Sequence, residues 1–281
     1  MKIALCYRGS YDLPYNISKE TRLTGDPVSV KKVTQKYIRN VLPNHREAIF
    51  SSDHEFDIFV TTYSAGDTKD ELLRAELQNV GTLKHAEFIT YNDTMVQGYL
   101  VNKSLQSIKN IVNDYDLIIN MRFDVHILKQ LDWLISRTMN KKINFLWREY
   151  SWKTCMEQNR SITSKYFIER VCDFCIIFQP SEFRALLSCI WPTDWHFHRL
   201  GIRLFENNFI PGPSGLNFIV DGFYQSGHGS KELAILDYMY PDFRLNTYNL
   251  LEPPPGWVPN CRTDPYPPEW QCSYHKYKHT P

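Results

Sequence analysis

The chain has 281 residues, 43% of them hydrophobic and 22% charged, and its formal net charge is +1. That length suits one large α/β domain or two small ones with a substantial core, and the near-neutral charge supplies no field that would draw it to nucleic acid. No run approaches the roughly 18 apolar residues of a membrane span, and the apolar run after Lys2 is too short for the core of a secretory leader.

The seven cysteines are an odd number, scattered and without a leader, which reads as reduced thiols in a cytoplasmic compartment. The one CxxC, Cys172 to Cys175, lies within a strand-like run rather than at a helix start. It is read as neither a redox pair nor half of a zinc site. The Asn-x-Ser/Thr sequons at Asn16, Asn92, Asn102 and Asn159 carry no weight without secretion.

In chain order, residues 2–7 (KIALCY) read as a first strand, followed by a long polar loop with Gly9, Pro14, Gly25 and Pro27. Residues 29–43 have apolar residues at helical spacing, with Pro43 as the stop. Residues 56–63 (FDIFVTTY) are a second strand. Residues 68–81 then carry helix signals, with Thr68 as N-cap, Glu71 three residues on and Gly81 after the end. A strand over 86–91, a long helix over 93–114 and a strand over 116–121 complete the first half. The second half is less regular. It reads as a helix over 128–139, strands over 143–147 and 171–178, a helix over 181–190, and a helix over 229–240 with Ser230 as N-cap. The Pro-rich stretch 253–281 has no periodicity and reads as a tail.

Strand and helix in alternation predict parallel βαβ units, an α/β fold with a mostly parallel, Rossmann-like sheet flanked by helices. Ligands in such sheets bind beyond the carboxyl ends of the strands. Those ends are 7–10, 61–64, 91–93 and 122–124, all polar or aromatic, and they should share one edge. There is no GxGxxG after the first strand, no P-loop and no GxSxG. Redox dinucleotide binding, P-loop ATP hydrolysis and α/β-hydrolase chemistry are therefore disfavoured.

The stretch DLIINMRFDVHIL (116–128) is the most distinctive. A buried apolar strand ends in Arg122 and Asp124. A carboxylate there can hold a hard divalent cation whose remaining ligands are phosphate oxygens. An arginine two residues earlier can pair with a phosphate or fix the carboxylate. The same pair also suits a structural ion pair at a strand end. Arg8 closes the first strand beside Gly9 and can reach a phosphate or a base, and Tyr63 after the second strand can stack on a nucleobase. Trp191, Trp195 and His196 in WPTDWHFHRLG (191–201) offer flat faces and polar groups of the kind a sugar acceptor uses, or a packed aromatic loop.

The first strand ending in Arg, FDIFVTTY as the second, the long helix and then MRFDV together resemble GT-A-type glycosyltransferases. More narrowly they resemble the bacterial and large-virus group in which R-x-D stands where other members carry a D-x-D metal motif. Among those relatives the chain looks most like the chlorella-virus xylosyltransferases. The resemblance covers residues 1–125 well and the rest in outline. It implies a single domain over 1–252, with a donor half to about residue 125 and an acceptor half after it. It implies transfer from a nucleotide sugar, a UDP-sugar such as UDP-xylose, to a hydroxyl of a glycan or glycoprotein. Asp124 would bind the metal–diphosphate, with Mn²⁺ or Mg²⁺ as the ion and His228 as a further ligand or a phosphate contact. Arg122 in place of the first acid leaves one carboxylate for that ion, and its own charge could serve the diphosphate. An inverting reaction also needs a carboxylate base. Glu232, placed in the first turn of the helix expected over 229–240, is the first choice, and Asp173 and Asp221 are its rivals. Two other readings remain: a metal-dependent nucleotidyl- or phosphotransferase, with Asp93 as the second carboxylate, and a non-catalytic glycan-binding module built on the aromatic loop.

Overall fold

The computed structural model describes residues 1–12, 14–16, 32–34, 36–91, 97–150, 171–193, 199–211, 215–219, 223–225, 229–230 and 233–236. Its frame is a seven-stranded sheet. The strands are β1 (Lys2–Gly9), β4 (Glu55–Tyr63), β5 (Thr82–Ile89), β6 (Leu117–Arg122), β8 (Ile143–Phe145), β10 (Cys175–Phe178) and β11 (Leu216–Phe218), in the spatial order β11-β8-β10-β6-β1-β4-β5. β1 pairs in parallel with β4 and β6, and β4 with β5. β10 runs antiparallel to both β6 and β8, and β11 is parallel to β8, so β10 alone is reversed.

The central strands are apolar because both faces are covered, as parallel sheets require. Ile3, Ala4, Leu5, Cys6 and Tyr7 of β1 are fully buried, and so is Ile118 of β6. Two helices, α1 (Leu42–Ala48) and α3 (Gln97–Gln106), show which faces are which. Side chains alternate along a strand. His45 of α1 meets the Tyr7 hydroxyl, whereas Ser104 of α3 meets Asn120, the register partner of Cys6. α1 and α3 therefore cover opposite faces of the sheet. A helix α2 (Asp67–Gln78) links β4 to β5, with Leu73 and Leu77 buried.

Several expectations are revised. The helix read over 29–43 begins later. Lys32–Thr34 is a strand, β3, paired with β2 (Pro14–Asn16) inside what was read as a loop. The helical stretch is a π-turn at Tyr37–Val41 running into α1. Pro43 lies in the first turn of α1 rather than at its end. Proline lacks only an N–H that the first turn leaves unused, so it starts a helix as readily as it stops one. α2 starts from Gly66, not Thr68, and has no side-chain cap. Buried Asp70 accepts the Ala65 N–H at 2.9 Å and the Ser64 hydroxyl at 2.5 Å, and this fixes the entry. The long helix over 93–114 is α3, followed by a 3₁₀ turn at Val112–Asp114.

The helix over 229–240 is contradicted. β13 (Gly229–Ser230) and β14 (Ala234–Leu236) are antiparallel strands, and β14 pairs with β7 (Val125–Ile127) in a second, three-stranded sheet. The open edge of β7 supplies hydrogen-bond partners that local helical spacing cannot foresee. In the second half, α4 (Leu131–Ser136), α5 (Phe183–Cys189) and α6 (Leu200–Glu206) are short, and α6 was not anticipated. A further parallel pair joins β9 (Arg148–Tyr150) to β12 (Phe223–Gln225). The stretch 253–281 lies outside the described residues. Among the described residues no helix is long and apolar enough to cross a membrane.

Candidate functional site

Strand order reverses at β1. The chain moves from β1 to β4 and β5 on one side, then returns to place β6 on the other. Crevices open at such switch points, beyond the carboxyl ends of the strands. In register at this point stand Arg8 of β1 and Arg122 of β6. Because β10 is reversed, its amino-terminal side arrives at the same edge and brings Asp173 and Phe174 there. Gly9, at φ +97°, turns the chain off the end of β1 in a conformation that suits glycine, and Thr62 Oγ1 donates to its carbonyl at 2.6 Å.

Arg122, Asp124 and Asp173 form a closed array. Arg122 Nε donates to Asp124 Oδ1 at 2.8 Å and Nη2 to Asp124 Oδ2 at 2.5 Å, a bidentate fork. Its Nη1 donates to Asp173 Oδ2 at 2.5 Å. The guanidinium also lies over the Phe174 ring, 5.5 Å from the centroid. The side chain of Arg122 is 17% exposed, against 8% for Asp124 and 4% for Asp173, so it is the most exposed side chain of the three. Behind it Arg8 is buried. Its Nε donates to Asn120 Oδ1 at 2.7 Å and its Nη2 to the Asp173 carbonyl, while Asn120 Nδ2 donates to Ser104 Oγ at 2.8 Å. Burial lowers the Arg8 guanidinium to about 10, Asp173 offsets this in part, and Arg122 pushes the same way as burial. Arg8 remains charged at neutral pH.

The turn that carries the array is held from the other face of the sheet. Phe123 is fully buried, stacks on Tyr7 at 4.8 Å and 12°, and meets Tyr37 edge-on at 4.8 Å. The Phe123 N–H donates to the Arg8 carbonyl at 3.1 Å. His45 lies beneath, fully buried. Burial lowers it to about 3, so its ring is neutral, and the close approach of Nε2 to the Val125 carbonyl (2.7 Å) requires the N–H on that nitrogen. Its Nδ1 then accepts from the Tyr7 hydroxyl at 2.9 Å. Asn44 brackets Ile127, accepting its N–H at 2.7 Å and donating to its carbonyl at 2.8 Å. Arg122 and Asp124 are thus fastened before, between and after.

Sequence reasoning named Arg8, Arg122, Asp124 and Asp173, and the structure brings all four together. Tyr63 stands at the end of the adjoining strand β4. It is mostly buried and meets the exposed Tyr91 edge-on at 5.0 Å. Burial, then Tyr91 and Tyr99, push its hydroxyl up to about 12. Trp191, 52% exposed, follows α5 and lies 5.1 Å from the Arg203 guanidinium rather than in the Arg–Asp array. Glu232, Asp221, His228, Trp195, His196 and Asp93 lie outside the described residues. The helix on which the case for Glu232 rested is replaced by β13 and β14. Asn120, Phe123 and His45 were not singled out. An asparagine inside LIINMR, on the same face as Arg122, was a signal for the first. The other two act across the sheet and left none. Cys172 and Cys175 are free, buried thiols, and burial pushes Cys172 up to about 12, unlike an attacking redox thiol.

The residues can be tested against the metal that the resemblance implies. Each oxygen of Asp124 already bonds to Arg122, and Asp173 bonds to the same guanidinium. A dication on Asp124 would sit against this cation. At an effective dielectric of about 20, two unit charges 4 Å apart interact by about 4 kcal/mol, so the Arg122 charge offsets the attraction that one of the two carboxylates would offer such an ion. Among the described residues no three His, Cys, Asp or Glu side chains are grouped to hold a metal. With both Asp124 oxygens shared with Arg122 and one guanidinium offsetting one carboxylate, Asp124 and Asp173 are a weakened donor pair for a divalent cation.

No family model matches the chain, and no curated protein sequence matches it. Solved structures of similar chain path include a Desulfovibrio desulfuricans protein provisionally named a nucleotide-diphospho-sugar transferase. It is 9% identical, with 80% of this chain covering 81% of that one at a TM-score of 0.43. Staphylococcus aureus TarS, residues 1–349, is 12% identical over 87% of this chain and 63% of its own, at 0.44. A TarS structure in complex with UDP is 13% identical over 73% and 54%, at 0.41. The chain thus spans less than two thirds of the TarS fragment, and at these scores the likenesses assign neither family nor activity.

Proposed function

We propose that this chain is a glycosyltransferase that moves a sugar from a nucleotide-sugar donor to a hydroxyl of a glycan. The observation that carries this reading is the convergence of Arg8, Arg122, Asp124 and Asp173 at the switch point of a mostly parallel sheet. There two carboxylates hold a guanidinium at the strand-end edge beyond which such sheets bind nucleotides. Tyr63 and Tyr91 at the neighbouring strand ends offer an aromatic wall for the nucleoside. Residues to about 125 serve the donor, and those after it serve the acceptor.

In this reading the acceptor hydroxyl attacks the anomeric carbon, a carboxylate takes its proton, and the bond to the diphosphate breaks. Positive charge placed in advance at the departing diphosphate lowers the barrier. Asp173 is committed to Arg122 and acts by orienting it. Glu232 and Asp221 are the carboxylates to test as base. The donor is a UDP-sugar, with UDP-xylose among those to try first.

A thermal-shift screen of UDP-xylose, UDP-glucose, UDP-galactose, GDP-fucose, GDP-mannose and dTDP-rhamnose tests the proposal. A ligand at 100 times its Kd adds about 2.7 kcal/mol of stability, a shift of several degrees. One nucleotide family should stabilise the wild type and fail to stabilise Arg122→Leu. Stabilisation by none of them overturns the reading.

A further inference from the structure

The Arg–Asp array departs from what the D-x-D resemblance implies, and the departure has a chemical consequence. Resting on the reading above, we propose that the donor diphosphate is bound by the Arg122 guanidinium without a divalent cation, and that Asp124 is a positioning residue for Arg122 rather than a metal ligand. Three of the five guanidinium N–H groups bond to the two aspartates, and Phe174 covers one face of the group. These contacts fix the plane of the fork at the end of β6, and Arg122 is the most exposed side chain of the array. A planar fork held in place is suited to paired phosphate oxygens, because its donors match their spacing and little rotamer freedom is lost on binding. Both oxygens of Asp124 already accept from Arg122, so an ion on Asp124 would share its ligand with the guanidinium and sit beside that cation. Arg8 adds a second, buried positive charge behind the fork. The carboxylates keep the array near neutral until the diphosphate arrives, which removes the cost of holding two unpaired arginines side by side.

One substitution separates the two roles. If Asp124 held a metal, Asp124→Asn would abolish any gain in diphosphate affinity that Mn²⁺ brings. If Asp124 only aims Arg122, asparagine keeps one acceptor oxygen but turns an NH₂ donor toward the second N–H of the fork. Affinity should then fall by the same factor with and without Mn²⁺.

The experiment is calorimetric titration of UDP, GDP, CDP and dTDP into the full chain, once in EDTA and once in MnCl₂. The expected result is that one of the four binds in EDTA with a Kd within about threefold of its value in MnCl₂. Asp124→Asn should bind that nucleotide several-fold more weakly than wild type, and by the same factor in EDTA as in MnCl₂. Arg122→Lys, which keeps the charge and loses the fork, should bind at least tenfold more weakly. Binding in MnCl₂ but not in EDTA overturns the proposal and leaves the glycosyltransferase reading standing. An Asp124→Asn affinity that falls in MnCl₂ but not in EDTA also overturns it. Binding of none of the four under either condition overturns the donor-site reading, and this proposal with it. The comparison of wild type with and without EDTA needs no variant to fold.

Discussion

Phe123→Ala tests whether the array depends on support from beneath the sheet. The side chain is fully buried and packed on Tyr7 and Tyr37, both at 4.8 Å, with Tyr11 at 6.1 Å. Truncating a core phenylalanine costs about 3–5 kcal/mol, from lost transfer energy and the cavity left behind. A protein of this size should therefore melt roughly 6–20 °C lower. With a total stability of about 5–15 kcal/mol it should still fold at low temperature. The cost alone says nothing about the site, so the control is Leu186→Ala. Leu186 is equally buried, on α5, which joins α3 through the Asn102-to-Ile190 bond on the face away from Phe123, and its truncation costs about 2–5 kcal/mol. The two variants are compared by differential scanning calorimetry and by titration with the nucleoside diphosphate that binds the wild type. Phe123→Ala should lose more than tenfold in affinity at a temperature where it is fully folded, because Arg122 and Asp124 flank the truncated residue. Leu186→Ala should bind as wild type does. Equal affinities in the two variants would refute the view that the aromatic cluster positions the Arg–Asp turn.

Other outcomes follow from the same contacts. His45 is held near 3 by burial, below its ordinary 6.5, so the unfolded chain takes up a proton that the folded chain refuses. Its contribution is complete above pH 6.5 and is lost as the pH falls toward 3, at up to about 1.4 kcal/mol per unit. Urea unfolding at stepped pH should show this slope in wild type and a shallower one in His45→Gln. Asn120→Ala leaves the buried Arg8 guanidinium without its Nε partner. A bond to a charged group is worth about 1.5–3 kcal/mol, so chemical denaturation should report a loss of that size, together with weaker diphosphate binding. At Gly81 an added Cβ would lie 3.0 Å from Ile58 Cδ1 and 3.1 Å from the Phe56 carbonyl oxygen. Gly81→Ala should cost about 1–3 kcal/mol by overpacking, visible as a lower Tm with ligand affinity unchanged.

The elements that sequence determined are those in which local pattern and tertiary demand agree. KIALCY, FDIFVTTY and LIINM are apolar because a central parallel strand is covered on both faces, and a continuous apolar run has few other uses in a chain of this kind. The polar ends of those runs marked one edge of the sheet, and Arg8, Arg122 and Asp124 were legible there, whereas Asp173 was read only as a rival base. Tertiary structure decided the rest. Residues 229–236 look helical by spacing and form strands because the edge of β7 offers hydrogen bonds that no local pattern records. The reversal of β10, which delivers Asp173 to the tips of β1 and β6, is a matter of strand order and left no trace in composition. Tertiary structure also set the surroundings of the central motif. As letters, R-x-D reads equally as a thin metal site or an ion pair. The placement of both Asp124 oxygens and of Asp173 around one guanidinium was not legible in those letters, because charge compensation depends on distances of a few ångströms between residues 51 apart in the chain.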